Sequence, residues 1–218
     1  MSPPQRGSAL PAIFVQGFSD ILERAPVADE IDKFQQYLEL LLQWNRAHRL
    51  TAYRHPEDIV QKLLLDSLFF LKVLPSTARR LLDFGTGAGI PGIPLKIVSP
   101  HIALTLVETR RNRSSFLATV LRDLDFKGVT LLRGRAEQLL PDLEGTFDGV
   151  VVRAVSSPAA IIPVAVRFLA PGGVLIGSGP PLRRKRPALP EGSSTSWKLI
   201  PSPLSGQPRQ FWVVQKEY

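Results

Sequence analysis

The run Asp83-Phe84-Gly85-Thr86-Gly87-Ala88-Gly89-Ile90-Pro91-Gly92 constrains this chain more than any other segment. It follows a short apolar stretch, Leu81 to Phe84, that reads as a buried strand, and it leads into a helix begun at Pro94. Glycines in such a turn let the backbone take positive φ and let a ligand approach it closely. Further strands are expected at Ala103 to Val107, Val129 to Leu132, Asp148 to Val152, Val174 to Ile176 and Phe211 to Val214. Helical patterns at Arg113 to Leu124 and Ala159 to Leu169 alternate with them. That alternation predicts an α/β fold, a parallel sheet with helices on both faces. Ligands bind such sheets beyond the C-terminal strand ends at the topological switch point, which the first strand borders.

Residues 1–25 read as a Pro/Gly/Ser-rich tail followed by a short helix, Ala12 to Leu22. Residues 26–75 form a helical cap. Ile31, Phe34, Leu38, Leu41 and Leu42 recur at helical spacing, and a second helix starts near Pro56 with Ile59, Leu63, Leu64, Leu68 and Leu71. Residues 76–218 form the ligand-binding domain, continuous with the cap. Within it, Ser178 to Ser196 carries Pro180-Pro181 and Arg183-Arg184-Lys185-Arg186 and reads as an extended or disordered loop, either an RNA clamp or a solvated basic segment.

Which ligand the glycine loop takes depends on its neighbours. Glu108, at the end of the second strand, stands where a carboxylate accepts both hydroxyls of a ribose, which points to a nucleoside-containing cofactor. Gly87 to Gly92 matches the dinucleotide pattern GxGxxG, a weak signal alone. Here it starts two residues late, after Gly85, and Pro91 removes an N–H where a pyrophosphate needs donors. S-adenosylmethionine has no phosphate, and Asp83 suits its ammonium, directly or through water. The residues therefore favour S-adenosylmethionine over NAD, with an NAD-dependent oxidoreductase as a remaining alternative.

Composition narrows the chemistry. With no cysteine and only His48, His55 and His101, scattered along the chain, no metal site and no thiolate nucleophile are expected. The net charge of +8 favours a polyanionic partner. No apolar run approaches the ~20 residues that span a bilayer, and the first residues lack a signal-peptide pattern. A cytoplasmic monomer without membrane contact is expected. After the fourth strand, Val152-Arg153-Ala154-Val155-Ser156-Ser157-Pro158 lacks the Asn/Asp-Pro-Pro-aromatic motif common in amine methylation. Without an obvious base, an acceptor that is already nucleophilic fits best, and guanine N7 is one. Arg153 is the candidate catalytic residue, able to bind phosphate, base or a cofactor carboxylate. Arg110, Arg111, Arg113, Arg133 and Arg135 follow strand ends and suggest a phosphate-facing rim, with Arg110, Arg111, Arg113 and Arg135 as candidate substrate-binding residues.

The string Asp83 to Leu95 resembles the signature of the ribosomal RNA small subunit methyltransferase G family, also called glucose-inhibited division protein B. Trp44-Asn45, Leu50-Thr51-Ala52, Leu65-Asp66-Ser67, Gly134-Arg135-Ala136-Glu137 and Arg153-Ala154 extend the resemblance over residues 37–177. It implies a Rossmann-like class I methyltransferase sheet and N7 methylation of one guanine in 16S ribosomal RNA or the small ribosomal subunit. It also implies cofactor contacts at Gly85, Ile90, Ala136, Glu137 and Arg153, alongside Asp83, Thr86, Gly87, Gly89 and Glu108. The chain departs from the family at four places. Arg49 replaces Asn, Leu63 replaces His, Asn112 replaces Lys, and Ser178-Gly179 replaces Lys-Gly. These fall where RNA would be handled and motivate a second reading, a cofactor-binding RNA-binding protein with weakened catalysis.

Overall fold

The structure, a computed structural model, describes residues 10, 12–153, 158–179, 189 and 191–217. Its centre is a seven-stranded sheet of order β3-β2-β1-β4-β5-β7-β6. The strands are β1 Arg80–Phe84, β2 Ala103–Glu108, β3 Val129–Arg133, β4 Phe147–Val152, β5 Leu169–Ser178, β6 Ser193–Ile200 and β7 Arg209–Lys216. The first five pair in parallel, with Leu82 opposite Thr105 and Val150. The last two are antiparallel, so the all-parallel expectation holds only for β1 to β5. Strand order reverses at β1, leaving the β1/β4 boundary as the switch point.

The strands' twofold side-chain period distributes residues to two cores. Leu81, Leu106, Val151, Ile176 and Val213 join one face, and Leu82, Val107, Val150, Leu175 and Trp212 the other. The first face is covered by α1 (Ile13–Leu22), α2 (Ala28–His48), α5 (Gly92–Val98) and α6 (Arg111–Asp123), with Phe14, Phe34, Tyr37 and Phe116 fully buried there. Phe14 and Phe34 meet with ring centroids 4.9 Å apart. The cap and the sheet thus share one core rather than forming two. On the opposite face Ile162 and Phe168 pack, contributed by α8 (Pro158–Ala165) and the 3₁₀ turn Val166–Phe168.

α2 begins where Glu30 reaches back to the Val27 N–H at 2.9 Å, filling one of the donors a helix start leaves open. Arg24 holds that carboxylate at 2.6 Å, so it can be buried. The second cap helix is not uniform. α3 (Pro56–Ile59) runs into a π-helical turn, Val60–Leu65, then α4 (Asp66–Leu68) and a 3₁₀ turn, Phe69–Lys72. Two elements lie outside the expected pattern: α7 (Ala136–Leu143), which contains Pro141, and β6. The expected loop at 178–196 is corrected at both ends, since β5 reaches Ser178 and β6 starts at Ser193. Its basic centre, Pro180 to Arg186, lies outside the described residues. The expected helix at 159–169 stops earlier, because Leu169 already belongs to β5. No helix among the described residues is long and apolar enough to cross a membrane.

Candidate functional site

The glycine loop closes over the end of β1. Asp83 is 1% exposed, beneath the loop. Its Oδ2 accepts the Thr86 hydroxyl and the Gly92 N–H, both at 2.7 Å. Gly92 is required for that approach, because a Cβ there would lie 2.6 Å from the same oxygen. Gly85 has φ +71°, and the place of its missing Cβ is open space, so the loop presents bare backbone to a ligand. Thr86 N–H donates to the Val107 carbonyl at 3.0 Å, fixing the loop against β2. From the cap, the fully buried Tyr37 donates its hydroxyl to the Ala88 carbonyl at 2.6 Å. Gly89 lies in the same packing, its Cβ position 3.3 Å from that hydroxyl, and Ile90 is buried behind it. The Ile90–Pro91 peptide is cis.

The other Asp83 oxygen, Oδ1, is buried with no hydrogen-bond partner among the described residues. Burial pushes the Asp83 carboxyl up to about 7, against the Thr86 hydroxyl, the Gly92 N–H and the charge of Arg153. A cation or a polarised water at Oδ1 would complete it. Asp83 therefore sits under the loop.

Glu108 ends β2 beside a cleft of about 290 Å³ lined by Phe84, Gly85, Val107, Thr109, Gly134 and Arg135. Its Oε2 accepts the Gly87 N–H at 3.0 Å and its Oε1 accepts the Arg110 N–H at 2.8 Å. The Thr109 hydroxyl also donates to Oε1, at 3.4 Å, so Oε2 is the oxygen that keeps room for a hydroxyl. Arg113, from α6, stands 3.7 Å from Oε2. The Arg110 and Arg111 side chains are exposed at the start of α6, and Arg135 is exposed at the cleft. Ala136 and Glu137 open α7 directly after that lining.

Arg153 follows β4 and does not project freely. Its Nη2 is 3.0 Å from Asp66 Oδ2 and donates to the Lys62 carbonyl in the π-helical turn. Nη1 is buried without a partner among the described residues. Arg209, at the start of β7, binds the same carboxylate at 2.6 Å. Burial pushes the Asp66 carboxyl up, and the two guanidiniums oppose that shift. These three residues and Tyr53, Lys62 and Ser202 line a cavity of about 380 Å³.

The structure brings Asp83, the glycine loop, Glu108, Arg113 and Arg135 together, as the sequence leads one to expect. The sequence gives no site role to Tyr37 or Arg209, and Asp66 enters only within the string Leu65-Asp66-Ser67. Asp66 left a signal, an Asp-Ser pair inside an apolar helix. Tyr37 and Arg209 left none.

The strand order, the glycine turn after β1 and the acid ending β2 define the Rossmann-like methyltransferase fold. A solved O-methyltransferase from Bacillus cereus, in complex with SAH, superposes with a TM-score of 0.60 at 17% identity, covering 93% of this chain and 96% of that one. Residues 30–177 match the family described as GidB, rRNA small subunit methyltransferase G, and the chain belongs to that family. Ribosomal RNA small subunit methyltransferase G from Desulfitobacterium hafniense is 39% identical over 152 residues, 69% of this chain and 63% of that protein. The chain thus spans under two thirds of that relative's length. The protein of the same name from Xanthomonas oryzae pv. oryzae is 38% identical over 206 residues, 91% of this chain and 95% of its own.

Proposed function

We propose that the chain uses S-adenosylmethionine to methylate N7 of a guanine in 16S ribosomal RNA, acting as a cytoplasmic monomer on the small ribosomal subunit or its RNA. The observation that carries this reading is the glycine loop, stretched over buried Asp83 and opening beside Glu108, in a chain of this family. The site suits the cofactor on its own terms. Asp83 Oδ1 has no hydrogen-bond partner among the described residues, Gly85 leaves its backbone bare, and Glu108 Oε2 keeps acceptor capacity.

Gly85, Gly87, Gly89 and Ile90 would shape the cradle, with Thr86 held under it by Asp83. Glu108 would take the ribose, and the start of α7 at Ala136 and Glu137 would flank the adenine. Arg153 Nη1 would donate to the cofactor carboxylate while its other nitrogen stays on Asp66. Bound there, S-adenosylmethionine would supply an electrophilic methyl group on a sulfonium. Guanine N7 carries its own lone pair, so the protein's task is to position the base and exclude water rather than to remove a proton. Arg110, Arg111, Arg113 and Arg135 would hold phosphates around a base drawn out of its stack.

Incubating the protein with unmethylated small subunits and labelled donor tests the assignment. The expected product carries label at one guanine, cleavable by the chemistry specific to N7-methylguanosine. Tight S-adenosylhomocysteine binding with no transfer to subunits or RNA would instead establish the weakened-catalysis reading.

A further inference from the structure

Among the described residues, several arginines away from the cleft are occupied by acids: Arg24 by Glu30, Arg80 by Asp148, Arg122 by Asp123 and Arg167 by Glu144. Arg79 spends its guanidinium on the Ser76 and Ala78 carbonyls. Among the described residues, the side chains of Arg46, Arg49 and Arg54 make no hydrogen bond or ion pair, and all three are exposed. They converge on one groove of about 990 Å³ between the C-terminal end of α2, the segment 49–56 and Arg113. No acidic side chain is among the residues that line it.

That groove is held in shape. Asn45 is buried, and its amide nitrogen donates to the Tyr53 carbonyl at 2.8 Å while its oxygen accepts the Thr51 N–H at 2.9 Å. Thr51 Oγ1 accepts the Tyr53 N–H at 3.3 Å. Arg49 ends α2 with φ 48° and ψ 55°, a left-handed conformation that asparagine or glycine takes more readily. A long cation at a position better suited to a small residue, with no acid to neutralise it, is placed for a ligand from outside. Arg113 joins the groove to the cleft, since it lines the first and stands 3.7 Å from Glu108 in the second.

We propose that this groove is the track along which the RNA carrying the acceptor base lies, its phosphates met by Arg46, Arg49, Arg54 and Arg113. The inference rests on the methyltransferase reading for the direction of the track, and on the unpaired charges alone for its polyanionic occupant. A groove lined by one sign of charge on a fixed backbone binds phosphates with release of counterions and little ordering of the protein. The track meets the cleft at Arg113.

The test is equilibrium binding of unmethylated 16S ribosomal RNA to the full chain over a series of salt concentrations. It needs no methyl transfer. The triple variant Arg46→Gln/Arg49→Gln/Arg54→Gln should bind at least about tenfold more weakly and lower the log-log salt slope by about two to three. Arg122→Gln/Lys127→Gln, which removes two exposed charges elsewhere, should change neither by much. Calorimetry with S-adenosylhomocysteine should give wild-type affinity in the triple variant, showing an intact cofactor cleft. Equal losses in the two variants, an unchanged slope in the triple variant, or binding to phosphatidylserine vesicles with none to RNA would overturn the track. Wild-type protein that binds RNA through the groove yet transfers no methyl group would overturn the enzymatic reading and leave the track standing.

Discussion

Asp83 carries most of the site's consequences at the scale of single residues. Its raised pKa means the folded protein keeps a proton between about pH 4 and pH 7 that the unfolded chain has lost. Folding stability from this group is therefore greatest below the unfolded pKa and falls as pH rises through about 7. Asp83→Asn keeps an oxygen for Thr86 and Gly92 and removes the titration. Urea unfolding should show that the wild type loses stability between pH 5 and pH 8 by more than the variant does. S-adenosylhomocysteine affinity of the wild type should rise over the same interval, as the carboxylate forms, and should fall at least about tenfold in Asp83→Asn. Gly92→Ala would drive a methyl group to within 2.6 Å of Asp83 Oδ2 and 2.8 Å of Leu106. It should cost roughly 1–3 kcal/mol, read as a lowered melting temperature. Asp83, Glu108 and the glycines were legible in the sequence because a strand, a tight turn and a helix place them locally. What Asp83 does was less legible, because only packing shows which side of the loop its carboxylate takes.

At the scale of elements, the Tyr37–Ala88 hydrogen bond ties the cap to the cofactor loop, and the Asp66 carboxylate ties it to the ends of β4 and β7. Tyr37→Phe removes the donor to Ala88 while leaving the ring against Phe116. It should destabilise the fold by about 1–2 kcal/mol and weaken S-adenosylhomocysteine binding severalfold, both measurable on one sample by calorimetry. Asp66→Asn leaves Arg153 and Arg209 facing each other without a countercharge. It should cost about 3 kcal/mol in urea unfolding, since breaking one partner of a buried pair leaves charge uncompensated. These contacts join residues 51 and 143 positions apart, beyond any local pattern. Helical periodicity marked the cap and its buried face. It could not mark the π-helical turn that offers the Lys62 carbonyl to Arg153. Helix α7 was hidden by Pro141, and β6 by its exposure, since its largest apolar side chains, Trp197 and Leu199, lie 44% and 62% exposed.

For the molecule as a whole, the sheet is built from a parallel block and an antiparallel pair, joined along β5 and β7. Gly177 makes that joint possible, because a Cβ there would stand 1.9 Å from the Trp212 ring. Gly177→Ala should therefore lower overall stability by about 3 kcal/mol or prevent folding, seen as loss of a cooperative thermal transition. Fold class was legible because five parallel strands follow the alternation of apolar runs and helices. The antiparallel pair was half legible, as β7 is apolar and β6 is not.

The Asp66 junction gathers the cap, the end of β4 and the start of β7 on a single carboxylate, and those parts leave the ribosome at very different times. Asp66 is synthesised 143 residues before Arg209. A nascent chain thus carries that acid without its second guanidinium while the sheet from β1 to β6 is made. The pocket beside Arg153 is therefore finished only when β7 emerges.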